Sequence, residues 1–172
     1  MTAPSLITKI AKYFPIVEVI ALAGFTTGFF FKTLHYSGGN DILLLSLSAL
    51  SIIYFLTAYV PREAPKEDEA QSSQPMGFAA LLGRTILPKV LWIGSSVSVI
   101  GILFTLLHFN GFRDMLLIGT STLAIASVLG LVNTMSDEQG RKALGPMLLR
   151  AVPLILVCIY LLMVYGIARP AF

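Results

Sequence analysis

Long apolar stretches separated by short polar ones dominate the pattern of this chain. A bilayer core of roughly 30 Å takes about 20 largely uncharged residues to cross as a helix. Five stretches approach that length, with apolar cores over residues 15–33, 42–59, 90–107, 115–132 and 153–168. Backbone polar groups in lipid must be paired within the segment, and runs this uniformly apolar lack the alternation of barrel strands. The pattern therefore predicts an all-α integral membrane protein with five transmembrane helices.

Two of the polar turns between these helices repeat one sequence. Residues 31–46 read FKTLHYSGGNDILLLS and residues 104–119 read FTLLHFNGFRDMLLIG, with seven of sixteen positions identical at an offset of 73. The only two histidines, His35 and His108, are a matched pair in this repeat. Self-similarity of this kind indicates repeated structural units. We therefore predict two helical hairpins in the same orientation, as parallel repeats, followed by a fifth helix.

The polar stretches also divide the chain into segments. We predict an interfacial N-terminal segment over 1–14, a first hairpin over 15–60, a polar cytoplasmic linker over 61–84, a second hairpin over 85–133, a cytoplasmic loop over 134–146, and the fifth helix with the C-terminus over 147–172. Proline suits a first helical turn, where its missing N–H has no partner to lose, so Pro15, Pro88 and Pro153 mark the starts of the odd helices. The first helix is expected to be retained, because its apolar run is longer than that of a signal peptide.

Composition agrees with a membrane protein and limits the other classes. Hydrophobic residues make up 56% of the chain, charged residues 12%, and the mean hydropathy is +0.83. The net charge of +3 comes from basic residues scattered along helix ends, so it indicates topology and no nucleic-acid partner. Nine Lys and Arg fall on the side of the N-terminus against three on the other side, which predicts a cytoplasmic N-terminus. Cys158 is the single cysteine, so neither a disulfide framework nor a thiolate metal site is expected.

The two turns contain residues that set backbone geometry. Gly38 and Gly111 suit the left-handed conformation that closes a helix. Asp41 and Asp114 suit the N-cap of the following helix, where a carboxylate accepts hydrogen bonds from free amides. A metal role would need ligands at close spacing, which two carboxylates and two imidazoles in separate turns do not provide. We therefore predict turn and capping roles for all four residues.

The histidine pair has a second interpretation. Two imidazoles at matched positions on one side of the membrane, His35 and His108, are suited to ligate a haem from opposite faces. A histidine at a helix end more often bonds a carbonyl or closes a turn, and no other cofactor signature accompanies this pair. The expectation is therefore a structural role without a cofactor.

Glu18 is the one acid within a predicted membrane segment. Burying a charge there is expensive, so such an acid is a functional candidate for proton or ion coupling. The competing interpretation is structural, because Lys89 and Arg150 are expected at the same membrane depth and the start of a helix favours a carboxylate. We predict pairing with one of these two cations.

Small residues predict where helices approach closely. Gly24 and Gly28 form a Gly-x-x-x-Gly pattern, which permits close contact with a partner helix inside or outside the chain.

The first hairpin resembles a known family. Residues 31–36 read FKTLHY, a glycine-containing turn and a second apolar helix follow, and residues 58–61 read AYVP. In these features residues 15–61 resemble the membrane hairpin of the GldL family, the inner-membrane motor proteins of type IX secretion and gliding motility in Bacteroidota. The resemblance implies a related hairpin in a similar bacterial inner membrane, whereas the motor chemistry of the family does not carry over. The family's second helix bears a glutamate implicated in using the proton gradient, and Leu50 stands at that position here.

The sequence contains no nucleophile and base set, phosphate loop or metal cluster, so no enzyme activity is expected. The leading hypothesis is a non-catalytic integral membrane subunit that packs against other integral membrane proteins and lipids within a larger complex. The alternative is a small transporter or channel, coupled to protons or ions through Glu18.

Overall fold

A computed structural model describes residues 10–60, 86–136 and 138–166. The elements in that part are five α-helices, followed by a short π-helical segment, Leu162–Gly166: α1 Phe14–Thr33, α2 Gly39–Thr57, α3 Leu87–Leu106, α4 Phe112–Ser136 and α5 Glu138–Leu161. All five are long and apolar enough to cross a membrane. Within these residues, the prediction of an all-α protein with five helices suited to span a membrane is thus confirmed. Most of the predicted interfacial segment 1–14, the linker 61–84 and the end of the chain lie outside the described residues.

The helix starts agree with the proline pattern in two cases and differ in the third. Pro15 and Pro88 lie in the first turn of α1 and α3. Pro153 instead lies inside α5, because α5 begins at Glu138 and includes most of the connection predicted over 134–146. Polar residues led to the prediction of a loop there, but Glu, Gln, Arg, Lys, Ala and Leu are good helix formers regardless of polarity.

The helices pack in chain order, and α3 occupies the centre. Helix α3 packs against α2, α4 and α5, whereas α1 packs closely along α2 alone among the described helices. In the 18-residue apolar stretch that makes each helix suited to cross a membrane, half of α3 is buried inside the protein, against 11% of α1 and 17% of α5. The side chains of Leu43, Leu116 and Leu123 are fully enclosed. In a membrane, α1 and the outer face of α5 therefore remain available to lipid or to another protein.

Glycines bring the two helices of each hairpin into backbone contact. A Cβ atom added at Gly28 would lie 3.0 Å from the amide nitrogen of Leu43, and one added at Gly101 would lie 3.1 Å from that of Leu116. Both pairs are related by the repeat offset. Gly24 in turn faces Ser46 on α2. The small-residue pattern of the first helix thus packs against α2, inside the same hairpin.

A buried pair of serines connects the first hairpin to the second. The hydroxyls of Ser51 on α2 and Ser96 on α3 lie 2.8 Å apart, and the Ser96 hydroxyl donates to the Ser51 carbonyl at 2.9 Å. Such interhelical hydrogen bonds stabilise membrane bundles, typically by about 0.6 kcal/mol each. The α2–α3 contact therefore has a specific polar connection within an apolar interface.

The first turn is closed by a histidine in the left-handed backbone conformation. His35 has φ 59°. Its N–H donates to the carbonyl of Lys32 at 3.2 Å, and the next N–H, of Tyr36, donates to the carbonyl of Phe31 at 2.8 Å. These two bonds define a Schellman motif, which satisfies free carbonyls at the end of a helix. The rings of Phe31 and Tyr36 also meet, with centroids 5.7 Å apart.

The second turn repeats this geometry. His108 has φ 57°, and its N–H donates to the carbonyl of Thr105 at 3.2 Å. The N–H of Phe109 donates to the carbonyl of Phe104 at 2.8 Å, and the two rings are 5.4 Å apart. The histidine pair therefore shares a backbone function, which is to end the first helix of each hairpin.

The glycines of the turns have a different task from the predicted one. Gly38 and Gly111 have φ 86° and 84°, but they precede the second helix of each hairpin and do not close the first. Gly38 is the N-cap residue of α2. The prediction assigned helix closure to the residue type most used for it, whereas His35 and His108 carry that conformation, which histidine tolerates better than most residues.

The aspartates also differ from their predicted position, because they lie inside the first turn of the second helix of each hairpin and not at its N-cap. Asp41 is in the first turn of α2, and the cap of that helix has no side-chain hydrogen bond. Gly38, and not Asp41, therefore occupies the N-cap position of α2. Asp114 occupies the corresponding first turn of α4. A carboxylate in a first turn still interacts favourably with the positive end of the helix dipole.

Lys32 shows that both turns lie at the same end of the bundle. Its ammonium group donates to Asn40 Oδ1 at 3.0 Å within the first turn. It also donates to the carbonyl of Leu106, at the end of α3. A cation at a helix C-terminus is favourable because free carbonyls and the negative dipole end are found there.

Candidate functional site

Charged and aromatic side chains from four helices converge at the opposite end of the bundle. Glu18 comes from α1, Tyr54 from α2, Trp92 from α3 and Arg150 from α5, and all four line one cavity. Each lies within about a turn or two of the end of its helix or membrane window. The cluster therefore sits near one membrane boundary, where polar and aromatic side chains are favoured.

Glu18 is shared between two partners. One carboxylate oxygen, Oε1, accepts a hydrogen bond from the hydroxyl of Tyr54 at 3.2 Å. The other, Oε2, forms an ion pair with Nη1 of Arg150 at 3.2 Å. The Glu18 side chain is 14% exposed and that of Arg150 is 56% exposed. The carboxylate is therefore enclosed and compensated, while the guanidinium remains accessible from outside.

Aromatic rings form the base under the ion pair. The rings of Tyr54 and Trp92 are 5.3 Å apart and tilted by 59°. The guanidinium carbon of Arg150 lies 6.0 Å from the centre of the Trp92 ring, at the outer limit of a cation–π contact. The indole nitrogen of Trp92 is buried and has no acceptor among the described residues. Arg150 thus lies near the Trp92 ring of α3 as well as beside Glu18 of α1.

A cavity of about 220 Å³ opens beside the ion pair. Glu18 and Arg150 supply its charged wall, and Phe14, Ile53 and Val60 contribute to its apolar wall. Helix α1 packs closely against neither α3 nor α5, so the cavity lies where the ion pair bridges a gap between helices. This geometry combines one acid, one accessible base and an apolar rim in a single recess.

Of the two cations proposed from the sequence, the structure brings Arg150 to Glu18. Lys89 is exposed, and no ion pair joins it to Glu18 in the part of the chain that is described. Leu91, the repeat mate of Glu18, is 2% exposed and belongs to an apolar cluster. In the described part of the second hairpin, the position of Glu18 is therefore occupied by an apolar side chain.

Sequence reasoning missed Tyr54 and Trp92. A signal for them existed: Trp92 is the single tryptophan and follows the start of α3 closely, while Tyr54 precedes the end of α2 closely. Antiparallel neighbours place such positions at the same depth, and both residue types favour a membrane boundary.

The histidines lie away from this cavity. His35 and His108 are exposed in the two turns at the other end of the bundle. His108 is near Tyr165, with ring centroids 6.0 Å apart. Both histidines thus have a role in the backbone of the turns. The cavity described above lies at the other end of the bundle, so it does not place a haem between them.

A further polar group lies in the interior where α3, α4 and α5 meet. Cys158 of α5 is fully buried, beside Ser98 and Thr120. The hydroxyls of these two neighbours interact with the thiol of Cys158. Within the same residues no group of three His, Cys, Asp or Glu side chains gathers to hold a metal ion.

Comparisons with protein families, curated proteins and solved structures find no match to this chain. Fold and site nevertheless define a class. The chain is a helical protein with five helices suited to cross a membrane and a compensated acid near one end of the bundle.

Proposed function

We propose that this chain is a non-catalytic subunit of a larger protein complex in a bacterial inner membrane. The observation that carries the proposal is the use of its intramembrane acid. Glu18 is bonded to Tyr54 and Arg150, so it connects α1 to α2 and α5. A carboxylate with two partners acts as a cross-link between helices, whereas a coupling acid must gain and lose a proton in the bilayer.

The exposed faces of α1 and α5 support the same proposal. Ile20 on α1 is 63% exposed and Tyr160 on α5 is 64% exposed. Both residues belong to apolar helical stretches of which little is buried inside the protein. Peripheral helices of this kind provide the surfaces by which a membrane subunit contacts its neighbours. The partners would be other integral membrane proteins, with lipid filling the remaining faces.

The repeat, the orientation and the family relationship belong to this proposal. We infer that the two hairpins are parallel repeats with the N-terminus in the cytoplasm, supported by the matched turns and the nine-to-three distribution of basic residues. We also infer a relationship to GldL hairpins. Leu50, at the position of the family's glutamate, is 3% exposed within the apolar core, so the motor chemistry is not part of the proposal.

Site-specific photo-crosslinking tests the subunit proposal. A photoreactive amino acid at Ile20 or Tyr160 is expected to give adducts with the same membrane protein, which also co-purifies in fixed stoichiometry in mild detergent. Leu43 is fully buried and serves as the control position, from which only adducts within the chain are expected. Crosslinks to lipid alone from both exposed positions, with a protein that purifies by itself, would contradict the proposal.

The alternative, a small proton- or ion-coupled transporter, is favoured by one observation, the cavity beside Glu18. Reconstitution in liposomes with an entrapped pH-sensitive dye separates the two functions. A subunit is expected to leave the proton leak of the liposomes unchanged. A gradient-driven flux that is lost in Glu18→Gln but retained in Lys89→Gln would support the transporter instead.

A further inference from the structure

The charged wall of the cavity has the chemistry of a receptor for a zwitterion. The ion pair uses one guanidinium nitrogen of Arg150, and in the described part of the chain no second acceptor lies within hydrogen-bond distance of that group. A guanidinium has five N–H donors in a fork that matches phosphate oxygens. Arg150 is also the more exposed member of the pair. It is therefore able to bind a phosphate without leaving Glu18.

The charge of Glu18 favours a ligand that carries a cationic group next to its phosphate. The carboxylate lies 3.2 Å from the guanidinium, so an anion that binds Arg150 also meets a negative charge. A primary ammonium group attached to the same ligand would neutralise that charge and donate to a carboxylate oxygen. The rings of Tyr54 and Trp92 beneath the pair add a favourable surface for a cation.

The position of the cavity indicates that the ligand is a lipid. Glu18 is four residues into α1, which is about 6 Å along the helix axis. Arg150 is three residues into the window Met147–Tyr165. This depth corresponds to the boundary between headgroups and hydrocarbon, and beyond it α1 and α5 expose apolar side chains such as Ile20 and Leu156. A headgroup in the cavity would therefore leave its acyl chains beside α1 and α5.

We propose that this cavity binds the phosphoethanolamine headgroup of a phospholipid, with the phosphate on Arg150 and the ammonium group on Glu18. The proposal does not depend on the subunit function, because it concerns a site within the chain.

Native mass spectrometry of delipidated protein, supplied with equal amounts of defined lipids, tests the assignment. We expect phosphatidylethanolamine to be retained about tenfold more than phosphatidylglycerol, which lacks the ammonium group, and more than phosphatidylcholine, whose quaternary nitrogen has no N–H. A series of lipids with one, two and three N-methyl groups on the ethanolamine should be retained progressively less. This series varies the lipid alone and uses the wild-type protein throughout. Equal retention of all headgroups would overturn the proposal.

Variants locate the site. Glu18→Gln and Arg150→Gln are each expected to remove the preference for phosphatidylethanolamine. Lys89→Gln removes an exposed cation on a neighbouring helix at the same end and should leave the preference intact. Loss of the preference in Lys89→Gln, or its survival in Arg150→Gln, would place the lipid elsewhere. A competition with water-soluble glycerophosphoethanolamine, which has the same headgroup without acyl chains, completes the test. If this compound displaced the lipid at equal concentration, the assignment of a lipid ligand would be overturned.

Discussion

The two hairpins are alike where the backbone turns and different where their helices begin. At the turns, matched histidines share φ 59° and 57°, and matched glycines share φ 86° and 84°. At the other end, Glu18 of the first hairpin reaches Arg150, whereas its mate Leu91 packs in an apolar cluster. The two hairpins therefore share the residues and the backbone conformation of their turns. In the described residues, the acid that lines the charged cavity is found in the first hairpin and is replaced by Leu91 in the second.

The two hairpins also differ in one close contact between their helices. In the first hairpin the glycine is on the first helix, where Gly24 faces Ser46. In the second it is on the second helix, where Gly119 faces Ser98. Gly119 is the repeat mate of Ser46. Ser98 corresponds to Phe25, the residue after Gly24, so the two contacts lie at neighbouring positions of the repeat. A small residue on either helix permits the close approach.

The largest expected effect distinguishes the central helix from the peripheral one. Gly101→Ala and Gly28→Ala each place a Cβ about as close to the backbone of the facing helix, at 3.1 and 3.0 Å. Overpacking of a rigid contact typically costs about 1–3 kcal/mol. Helix α3 is held on three sides whereas α1 packs on α2 alone, so α1 is freer to shift. We expect a loss of about 2–3 kcal/mol for Gly101→Ala and about 1 kcal/mol for Gly28→Ala.

Denaturant titration in detergent micelles measures both variants. Gly145→Ala is a suitable control, because a Cβ there meets no neighbour within 4 Å. Equal losses of stability at Gly101 and Gly28 would mean that α3 and α1 are equally hard to displace. That result would contradict the expectation drawn from the deeper burial of α3.

The sequence predicted the features that depend on one segment at a time. Hydropathy predicted five membrane helices, and the repeat showed that the two turns are related. The roles within the turn were harder to predict because a left-handed helix end most often uses glycine, and two glycines were nearby. His35 and His108 became identifiable as the closing residues only from their φ angles and hydrogen bonds.

The candidate site depended on distances between segments. Depth arguments limited the partners of Glu18 to two cations, and the packing of α5 beside α3 decided in favour of Arg150. Tyr54 and Trp92 were missed because aromatic residues in an apolar helix do not stand out by composition. The early start of α5 was missed because polarity indicates exposure to water and carries little information on helix formation.

The connection between the hairpins provides the second prediction. Ser96→Ala removes a buried hydroxyl that donates to Ser51 and leaves the Ser51 hydroxyl with the Ser96 carbonyl at 3.2 Å. We expect a loss of about 1 kcal/mol, within the range of interhelical hydrogen bonds in membranes. Ser95→Ala is the matched control, since the Ser95 hydroxyl bonds within its own helix, to Leu91. Equal losses in both variants would show that the hairpins are not joined through this pair.

The turns provide a prediction of opposite sign. Glycine at a left-handed position relieves the strain of a Cβ, so His35→Gly is expected to stabilise the protein by about 0.5–1 kcal/mol. His108→Gly should gain less, because the His108 ring contacts Tyr165 and that contact is lost. The difference between the two thermal shifts measures what the side chain contributes. A loss of stability at His35 would indicate that its imidazole has a partner of functional importance.

The smallest expected effect concerns the end at which the hairpins differ. A double-mutant cycle with Glu18→Gln, Arg150→Gln and the double variant isolates the coupling energy of the ion pair from the other contacts of each residue. Because Arg150 is 56% exposed, solvent and lipid phosphate screen the pair, and a coupling energy of about 0.5 kcal/mol is expected. Glutamine at position 18 retains an acceptor for Tyr54, so the single variant should remain folded. A coupling above about 2 kcal/mol would mean that the charges are enclosed as a buried pair. In that case Glu18 and Arg150 would be part of the core, and the cavity would be less accessible to a headgroup.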